Sequence, residues 1–331
     1  MGLRRNGVGL VVVAGCAFPL AAMPFDRVIE VFPKRPITLV VGYPPGDSPD
    51  LIARELAVMM GEELGQKVII SNRPGAVGNI AAAAVAKSDP DGYTVYLATR
   101  AVALHKAMFK QIKFDFAKDL APIGMVVRIP FVLVAGKHVP ATTFQEAITL
   151  VSANPGKYTC ASGGLGATSH LICEALKDQA GLPWTHIPYS GSVAALVDLL
   201  GGRADFTIAA VSAALPHIAA GSLRPLVAFS DGRIPAIEGV PNIEELGFED
   251  ISAQGWCALM APTGTPLHAI TRLNRSLNIA LSSEDVRRKL VAHGYVLPSP
   301  ANTPEALDMF LMKDTAEWSE VLQQRQIQGL Q

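Results

Sequence analysis

The sequence predicts an α/β protein with mainly parallel sheets and helices on both sheet faces. From residue 35 onward, short apolar runs alternate with longer amphipathic runs, which is typical of strands that feed helices. The chain has 331 residues, of which 50% are hydrophobic and 17% charged. A chain of this length and composition can bury a large core, so disordered and fibrous classes are excluded.

The first strand and helix set this pattern. Residues 37–41 (ITLVV) form a buried strand, and residues 49–61 form a helix whose apolar positions recur at helical spacing. Ser48 is predicted as the helix N-cap, with Pro49 in the first turn. The same pattern predicts strands at 67–71, 93–99 and 131–135 and helices at 80–87 and 143–153.

The second half of the chain repeats the alternation. Strands are predicted at 158–162, 185–189, 204–210, 223–229 and 255–261, and helices from 168, at 193–200, 266–281, 284–293 and 304–323. The sequence contains neither an internal repeat nor a Pro/Gly-rich linker between two successive domains. This favours two domains joined by strands that cross between them.

Residues 1–24 have the layout of a secretory signal peptide. A positively charged start, MGLRR, precedes an apolar run that is too short to span a bilayer as a helix. The tetrapeptide VAGC, which ends at Cys16, resembles a bacterial lipobox, in which case Cys16 would be the lipidated first residue. Cleavage near Ala17 or Ala22 is the alternative. Either route predicts export.

Charge and cysteine content exclude two further classes. The formal net charge of −1 provides no electrostatic footprint for nucleic acid. Cys160, Cys173 and Cys257 are too few and too irregularly spaced for a disulfide framework. We expect them to be small core residues, and a Cys160–Cys173 pair is the open alternative.

Four loops connect predicted strands to helices and are rich in glycine, proline and hydroxyl residues. Their sequences are YPPGDSP, RPGAVGN, ASGGLGATSH and PYSGS. Backbone N–H groups at a helix start favour anions, and ligands of open α/β sheets bind outside the carboxyl ends of strands. The loops therefore predict a cleft for a small anion. The alternative is that they contain only caps and turns.

Catalytic and cofactor motifs are missing from the sequence. Residues 164–166 (GLG) resemble the start of a dinucleotide fingerprint, but Ser169 replaces its last glycine and His186 stands where a ribose-binding acid belongs. His170 and Glu174 share a helix, yet no second group of ligands with metal-site spacing accompanies them. We expect no catalytic residue, no cofactor and no metal.

Several motifs occur in one order along the chain: RPITLVVGYPPGDSPD, NRPGAVGNIAAAAVAKSDPDGYTVYLAT, NPGKYTCASGGLGATSHL and HIPYSGSVAALVDLLGGRAD. In these motifs the chain resembles the Bug-type (tripartite tricarboxylate transporter) periplasmic substrate-binding protein family over residues 32–323. The resemblance implies a type II periplasmic-binding-protein fold, in which two doubly wound α/β domains are joined by two crossing strands. Those strands would lie near 131–135 and 251–260.

The same resemblance implies the domain division and the function. Domain 1 would comprise 33–131 plus 252–331, and domain 2 would comprise 132–251. The protein would be a monomeric, periplasmic solute-binding protein that captures a small organic carboxylate or amino acid and delivers it to membrane permease subunits. The alternatives are a sensing protein that signals to a membrane partner, and an enzyme on the same fold using Asp47 with Tyr43 or His170.

The resemblance also assigns ligand-binding positions. In domain 1 they are Tyr43, Pro44, Pro45, Gly46, Asp47, Asp50, Ala76, Val77, Gly78 and Thr99. In domain 2 they are Gly166, Ala167, Thr168, Ser169, His170, Tyr189, Ser190, Gly191 and Asp205. Asp205 is expected to orient loops rather than to contact the ligand.

This chain departs from the family pattern at four positions. Asp47 and Val77 each replace a glycine, Ala167 replaces a threonine, and Ala209 replaces an acidic residue. The changes predict a less polar or amine-bearing ligand with Asp47 as its partner. In the alternative interpretation Asp47 caps the helix or faces solvent.

Overall fold

The computed structural model describes residues 1–2, 32–108, 112, 114–230, 232–248, 254–299 and 301–324. From Phe32 onward the chain forms one compact unit. The predicted lipobox and cleavage sites lie outside the described residues. Among the helices that the structure describes, none is both long and apolar enough to cross a membrane.

The first sheet has the strand order β2-β1-β3-β10-β4. Its elements are β1 (Ile37–Val41), α1 (Ser48–Leu64), β2 (Val68–Asn72), α2 (Asn79–Ala86), β3 (Thr94–Thr99), α3 (Arg100–Met108), α4 (Phe116–Asp119), β4 (Leu120–Ile129), β10 (Gly255–Pro262), α9 (Leu267–Ser282), α10 (Glu284–Ala292) and α11 (Pro304–Gln324). We call this sheet with its helices the first lobe.

The second sheet has the order β7-β6-β8-β5-β9. Its elements are β5 (Phe131–Gly136), α5 (Phe144–Ser152), β6 (Thr159–Ser162), α6 (Thr168–Gln179), β7 (Thr185–Pro188), α7 (Ser192–Leu200), β8 (Phe206–Ala210), α8 (Val211–Ala219) and β9 (Leu223–Phe229). These elements form the second lobe.

Each sheet contains one strand that runs against its neighbours. In the first sheet β10 pairs antiparallel with β3 and β4, and in the second β5 pairs antiparallel with β8 and β9. Both strands arrive from the other lobe, β5 directly after β4 across Pro130. The sheets are therefore mainly parallel in strand direction, as predicted, and the crossing strand of each sheet enters in reverse. The second predicted crossing begins at residues outside the described ones.

The buried strands account for the core. All residues of β5, β8 and β10 are buried, as expected for strands covered by helices on both faces. One cluster of buried apolar side chains continues from the first sheet through Ile129 and Phe131 into the second. The site between the lobes therefore stands on a continuous packed base.

Helix α1 begins one residue earlier than predicted. Asp47, with an extended backbone, is its N-cap, and Ser48 is the first helical residue. The helix ends at Leu64, three residues beyond the predicted end at Gly61, and Gly65 in the left-handed conformation is its C-cap. The assignment of Ser48 as the cap is wrong because the side chain of Asp47 accepts the Ser48 N–H instead.

The cysteines divide into two roles. Cys160 on β6 and Cys173 on α6 form a disulfide, so the open alternative holds for this pair. The expectation that both are free core thiols is wrong, because α6 packs with Cys173 facing β6 at a Cα–Cα distance of 6.4 Å. Cys257 is free and buried on β10, as expected.

Candidate functional site

A large cavity of about 810 Å³ lies between the two lobes. It is lined by Gly42, Tyr43, Pro44, Pro74, Gly75, Ala76, Val77, Asn79, His105 and Ile112 from the first lobe and by Gly163, Gly164, Leu165, Pro188, Tyr189 and Ser190 from the second. Most of these residues follow the carboxyl ends of β1, β2, β6 and β7. This is where ligands of open α/β sheets are held.

A small cavity of about 60 Å³ adjoins the large one and shares Tyr43 and Gly163 with it. Its other lining residues are Asp47, Ser48, Pro49, Thr99, Arg100, Ala101, Ile129, Phe131, Ala167, Thr168, Ser169, Ser192, Ala210, Gly255 and Trp256. Six of its lining residues, Tyr43 included, have hydroxyl side chains, and Asp47 adds a carboxylate. It has room for about two water molecules.

The two cavities collect many of the predicted ligand-binding residues. Tyr43, Pro44, Asp47, Ala76, Val77, Thr99, Ala167, Thr168, Ser169, Tyr189 and Ser190 line one or both of them. Pro45, Gly46, Asp50, Gly78, Gly166, His170, Gly191 and Asp205 do not. Several residues of the second set support the cavity walls from behind without lining either cavity.

Asp50 fixes the loop between β1 and α1 from behind. Its carboxylate accepts hydrogen bonds from Arg54, from the Asn72 amide at 2.8 Å and from the Gly46 backbone N–H at 2.9 Å. Burial alone would raise the pKa of Asp50, but these donors outweigh it and lower the pKa. The structure thus makes Asp50 a positioning residue for the exposed turn at Pro45 and Gly46.

The loop between β2 and α2 forms a second wall of the large cavity. Its backbone passes so close to the first loop that a Cβ on Gly42 would stand 2.5 Å from the Gly78 Cα. Ala76 and Val77 both have positive φ, 45° and 51°, which is strained for a β-branched residue. The loop is therefore held in a conformation that glycine would adopt more easily.

The side chain of Tyr43 joins the first loop to β3. Its hydroxyl lies 2.9 Å from Oγ1 of Thr99, and burial raises the pKa of Tyr43 far above its ordinary value. The phenol therefore stays neutral and offers hydrogen bonds rather than charge.

Asp47 reaches from the first lobe to the second. It is 3% exposed, and its carboxylate accepts the backbone N–H of Ser48 at 3.2 Å. The same carboxylate lies beside the start of α7, where a Cβ on Gly191 would stand 2.9 Å from Oδ2 of Asp47. Burial raises the pKa of Asp47; the backbone N–H groups of Ser48 and Ser192 oppose this rise, while the nearby Asp50 charge adds to it. Beside it, Oγ of Ser48 lies 2.9 Å from Oγ of Ser212, another contact between the lobes.

The start of α6 is organised by two stacked histidines. The Gly166 N–H donates to Nδ1 of His170, whose ring stacks on His186 with centroids 4.3 Å apart. His186 Nε2 lies 2.6 Å from Oγ of Ser162. Burial lowers the pKa of His170 to about 3 and that of His186 to about 4, so both rings are neutral at physiological pH.

These histidines and Glu174 offer ligand atoms within 4.8 Å of one another, a spacing that could hold a metal ion. However, the hydrogen bond from Gly166 to Nδ1 places the proton of neutral His170 on Nε2. A ligating histidine needs its free nitrogen unprotonated, with the other nitrogen as the donor. The arrangement fits helix organisation better than metal binding.

Asp205 lies away from the cleft. Its carboxylate accepts from the backbone N–H and hydroxyl of Thr159 and lies 3.1 Å from Nε2 of His138. These contacts tie together the amino ends of β6 and β8, whereas both cavities lie at the carboxyl ends. The structure therefore separates Asp205 from the other predicted site residues and makes it an orienting group.

Some cavity residues were not predicted from the sequence. Asn79, His105, Ile112, Pro188, Ser192 and Arg100 are among them. Asn79 belongs to the loop RPGAVGN at a helix start, so it could have been predicted together with its neighbours. His105 and Arg100 belong to α3, which has no turn or glycine signal. The guanidinium of Arg100 is paired with Asp314, 2.7 Å away.

Comparison with known sequences matches residues 52–327 to the model of the tripartite tricarboxylate transporter family receptor. The chain is also similar to protein BugT of Bordetella pertussis, with 36% identity over 316 residues. That alignment covers 95% of this chain and 94% of BugT.

Solved structures show the same architecture. The periplasmic binding protein BugD matches with a TM-score of 0.86 and 28% identity, over 90% of this chain and 100% of BugD. A protein of R. palustris with adipate matches with a TM-score of 0.85 and 32% identity, over 90% of this chain and 100% of that one. MatC from Rhodopseudomonas palustris with bound malate matches with a TM-score of 0.83 and 29% identity, over 88% and 100%. The two-lobed α/β fold is thus shared with periplasmic binding proteins.

Proposed function

Because the chain belongs to the tripartite tricarboxylate transporter receptor family, we propose that it is an exported solute-binding protein that captures a small organic carboxylate between its lobes. The large cavity is the observation that supports this most, since both lobes contribute its walls. The lobes would correspond to domains 33–131 plus 252–331 and 132–251. The strand content of the two sheets supports that division.

The cavity chemistry fits an anion held by backbone groups. Helices α2 and α6 begin beside the cavities, and each has an N-cap residue without a capping side chain: Gly78 and Ala167. Among the described residues that line the large cavity, none carries a formal charge at neutral pH, since burial lowers the pKa of His105 to about 4. Neutralisation would come from helix starts and N–H donors rather than from lysine or arginine.

The expected affinity follows from these donors. A hydrogen bond to an ionised group contributes roughly 1.5–3 kcal/mol. A few such bonds, together with apolar contact to Pro44, Val77 and Leu165, would give about −8 kcal/mol, which corresponds to a micromolar dissociation constant. The similar protein with adipate and MatC with bound malate support a ligand of this class.

We propose no catalytic role for the cleft. The three side chains that could serve an enzyme are already engaged: Asp47 by the Ser48 N–H, Tyr43 by Thr99, and Nδ1 of His170 by Gly166. Incubation of the protein with its ligand should return the ligand unchanged in mass. Turnover would overturn this part of the proposal.

Delivery of the ligand to membrane permease subunits is the remaining part of the proposed function. The disulfide between Cys160 and Cys173 supports an oxidising compartment such as the periplasm. A deletion strain should lose uptake of the ligand, and the full-length gene should restore it. A gene lacking codons for residues 2–24 should not restore uptake, and restoration by that gene would contradict export.

A thermal-shift screen of the protein from residue 25 onward tests ligand binding. The panel would contain mono- and dicarboxylates, amino acids and aromatic acids. A ligand at 100 times its dissociation constant should add about 2.7 kcal/mol to the free energy of unfolding. A carboxylate hit supports the proposal, and a panel without any shift, in protein refolded to remove bound ligand, contradicts it.

A further inference from the structure

The carboxylate of Asp47 in the first lobe lies at the start of helix α7 in the second lobe. The N-cap residue of α7, Gly191, provides no capping side chain. A Cβ on Gly191 would stand 2.9 Å from Oδ2 of Asp47, and Gly191 has φ of +154°. Glycine at this position therefore gives the carboxylate room to approach the helix start.

Two helix starts beside this carboxylate partly offset the cost of burying it. The first N–H groups of a helix have no partner within the helix, and the helix dipole is positive there. Asp47 lies between two such starts: it accepts the Ser48 N–H of α1, and it lies beside Gly191, the N-cap residue of α7. A side chain of the protein thus stands where an anionic ligand group would be favoured.

The surroundings of Asp47 leave little space for a second anion. The small cavity that it lines is about 60 Å³, whereas the adjoining large cavity is about 810 Å³. A ligand in the large cavity that extends a second carboxylate past Tyr43 would meet the buried charge of Asp47. Like charges repel strongly where water is excluded.

We propose that Asp47 is a built-in carboxylate that occupies the anion position at the start of α7 and so selects monocarboxylates over dicarboxylates of the same length. The proposal rests on the proposed function, since it concerns which carboxylate the cleft accepts. It makes Asp47 a specificity-determining residue, with Gly191 as the residue that lets it reach its place.

The test is calorimetric titration with hexanoate and adipate, which share six carbons and differ by one carboxylate. Wild type, Asp47→Gly, Asp47→Asn and the control Asp89→Gly would be compared, Asp89 being exposed in the loop before β3. We expect Asp47→Gly to raise adipate affinity at least tenfold while hexanoate affinity stays within threefold. Asp47→Asn should show a smaller gain, because the charge is removed but the position stays filled. Asp89→Gly should match wild type.

Glycine is tolerated at an N-cap with a loss of only a few tenths of a kcal/mol, so the Asp47→Gly protein should fold, as circular dichroism would verify. An adipate-to-hexanoate affinity ratio equal in all four proteins would overturn the inference and leave the proposed function intact. A wild-type protein that binds adipate more tightly than hexanoate would likewise overturn the inference and leave the proposed function intact. Binding of neither acid, nor of any acid in the screening panel, by four folded proteins would overturn the proposed function itself.

Discussion

At the scale of single residues, the cleft contains two features that are unfavourable for stability: a buried carboxyl group and a strained backbone. Asp47 has a carboxyl group at 3% exposure, where burial raises its pKa, and Val77 adopts a left-handed backbone conformation. Each feature shapes a cavity wall and should lower the free energy of unfolding. Both can therefore be tested by unfolding measurements on variants.

For Asp47 the test is pH dependence. Burial raises its pKa above the ordinary value of 3.8, so the folded state binds the proton more tightly than the unfolded state. Its contribution to stability is therefore complete below pH 3.8 and is lost as the pH rises through the folded-state pKa. Relative to wild type, Asp47→Asn should be more stable at pH 7 than at pH 4 in guanidinium unfolding. An equal difference at both pH values would contradict the raised pKa.

For Val77 the test is substitution by glycine. A non-glycine residue in this conformation costs about 1–3 kcal/mol, and glycine loses about 0.5–1 kcal/mol more chain entropy on folding. Val77→Gly should therefore raise the free energy of unfolding by about 1 kcal/mol. Val68→Gly, in the regular strand β2, should lower it. A loss of stability in both variants would show that Val77 is not strained.

At the scale of elements, helix α6 is anchored to its neighbours by several kinds of contact. The disulfide ties it to β6, and the Trp184 indole donates to the Cys173 carbonyl at 3.2 Å. The stacked pair of His170 and His186 supports its first turn. These anchors position the loop 163–166 that lines the large cavity.

Removal of the disulfide should weaken the whole second lobe. The bond closes a loop with a sequence separation of 13 residues, for which chain entropy predicts roughly 3 kcal/mol. The double variant Cys160→Ser/Cys173→Ser should lose about that much in chemical unfolding. Reductant should destabilise wild type and leave the double variant unchanged. An equal effect of reductant on both would point to another cause.

The buried pair of His170 and His186 should make the protein less stable in acid. Burial depresses the pKa of His170 to about 3 and of His186 to about 4, below the ordinary value of 6.5. Each ring therefore contributes stability that is present above pH 6.5 and is lost as the pH falls toward its folded value. His186→Gln should flatten the fall in melting temperature between pH 6.5 and 4. The exposed His268 provides the control His268→Gln, whose profile should follow wild type.

Much of the element order could be predicted because the strands are apolar and bounded by glycine, proline or polar residues. The strand at 223–229 and the start of α6 at Thr168 agree with the structure. Strand β4 and helix α3 were missed: LAPIGMVVRI contains an internal proline and glycine, and RAVALHKAM follows β3 without any turn. Helix α8 contains Pro216, which normally argues against a helix.

The candidate site was predictable for a different reason. Loops such as 43–50 and 163–166 combine glycine with helix starts, and this pattern can be recognised in the sequence without knowledge of the tertiary structure. What the sequence could not supply is which side chains face the space and which stand behind it. The pairing of Asp47 with α7 joins residues that are 145 positions apart, so it depends on how the lobes meet.

At the scale of the whole molecule, the proposed function requires two lobes that share one ligand. Contacts already join them: Oδ2 of Asp47 lies next to Gly191, and Oγ of Ser48 lies 2.9 Å from Oγ of Ser212. Val77 and Gly164 also approach each other across the cleft, since a Cβ on Gly164 would stand 3.2 Å from Cγ2 of Val77. A ligand in the large cavity should therefore contact residues of both lobes at once.

The most direct test is calorimetric titration of the best carboxylate from the thermal-shift screen into variants that remove one apolar wall residue from each lobe. Val77→Ser in the first lobe and Leu165→Ser in the second should each weaken binding by about 1–2 kcal/mol, or roughly five- to thirtyfold. The control Leu267→Ser, at a side chain 74% exposed outside both cavities, should bind like wild type. Weakened binding from both lobes is the predicted result. Unchanged affinity in either cleft variant would contradict a ligand held between the lobes.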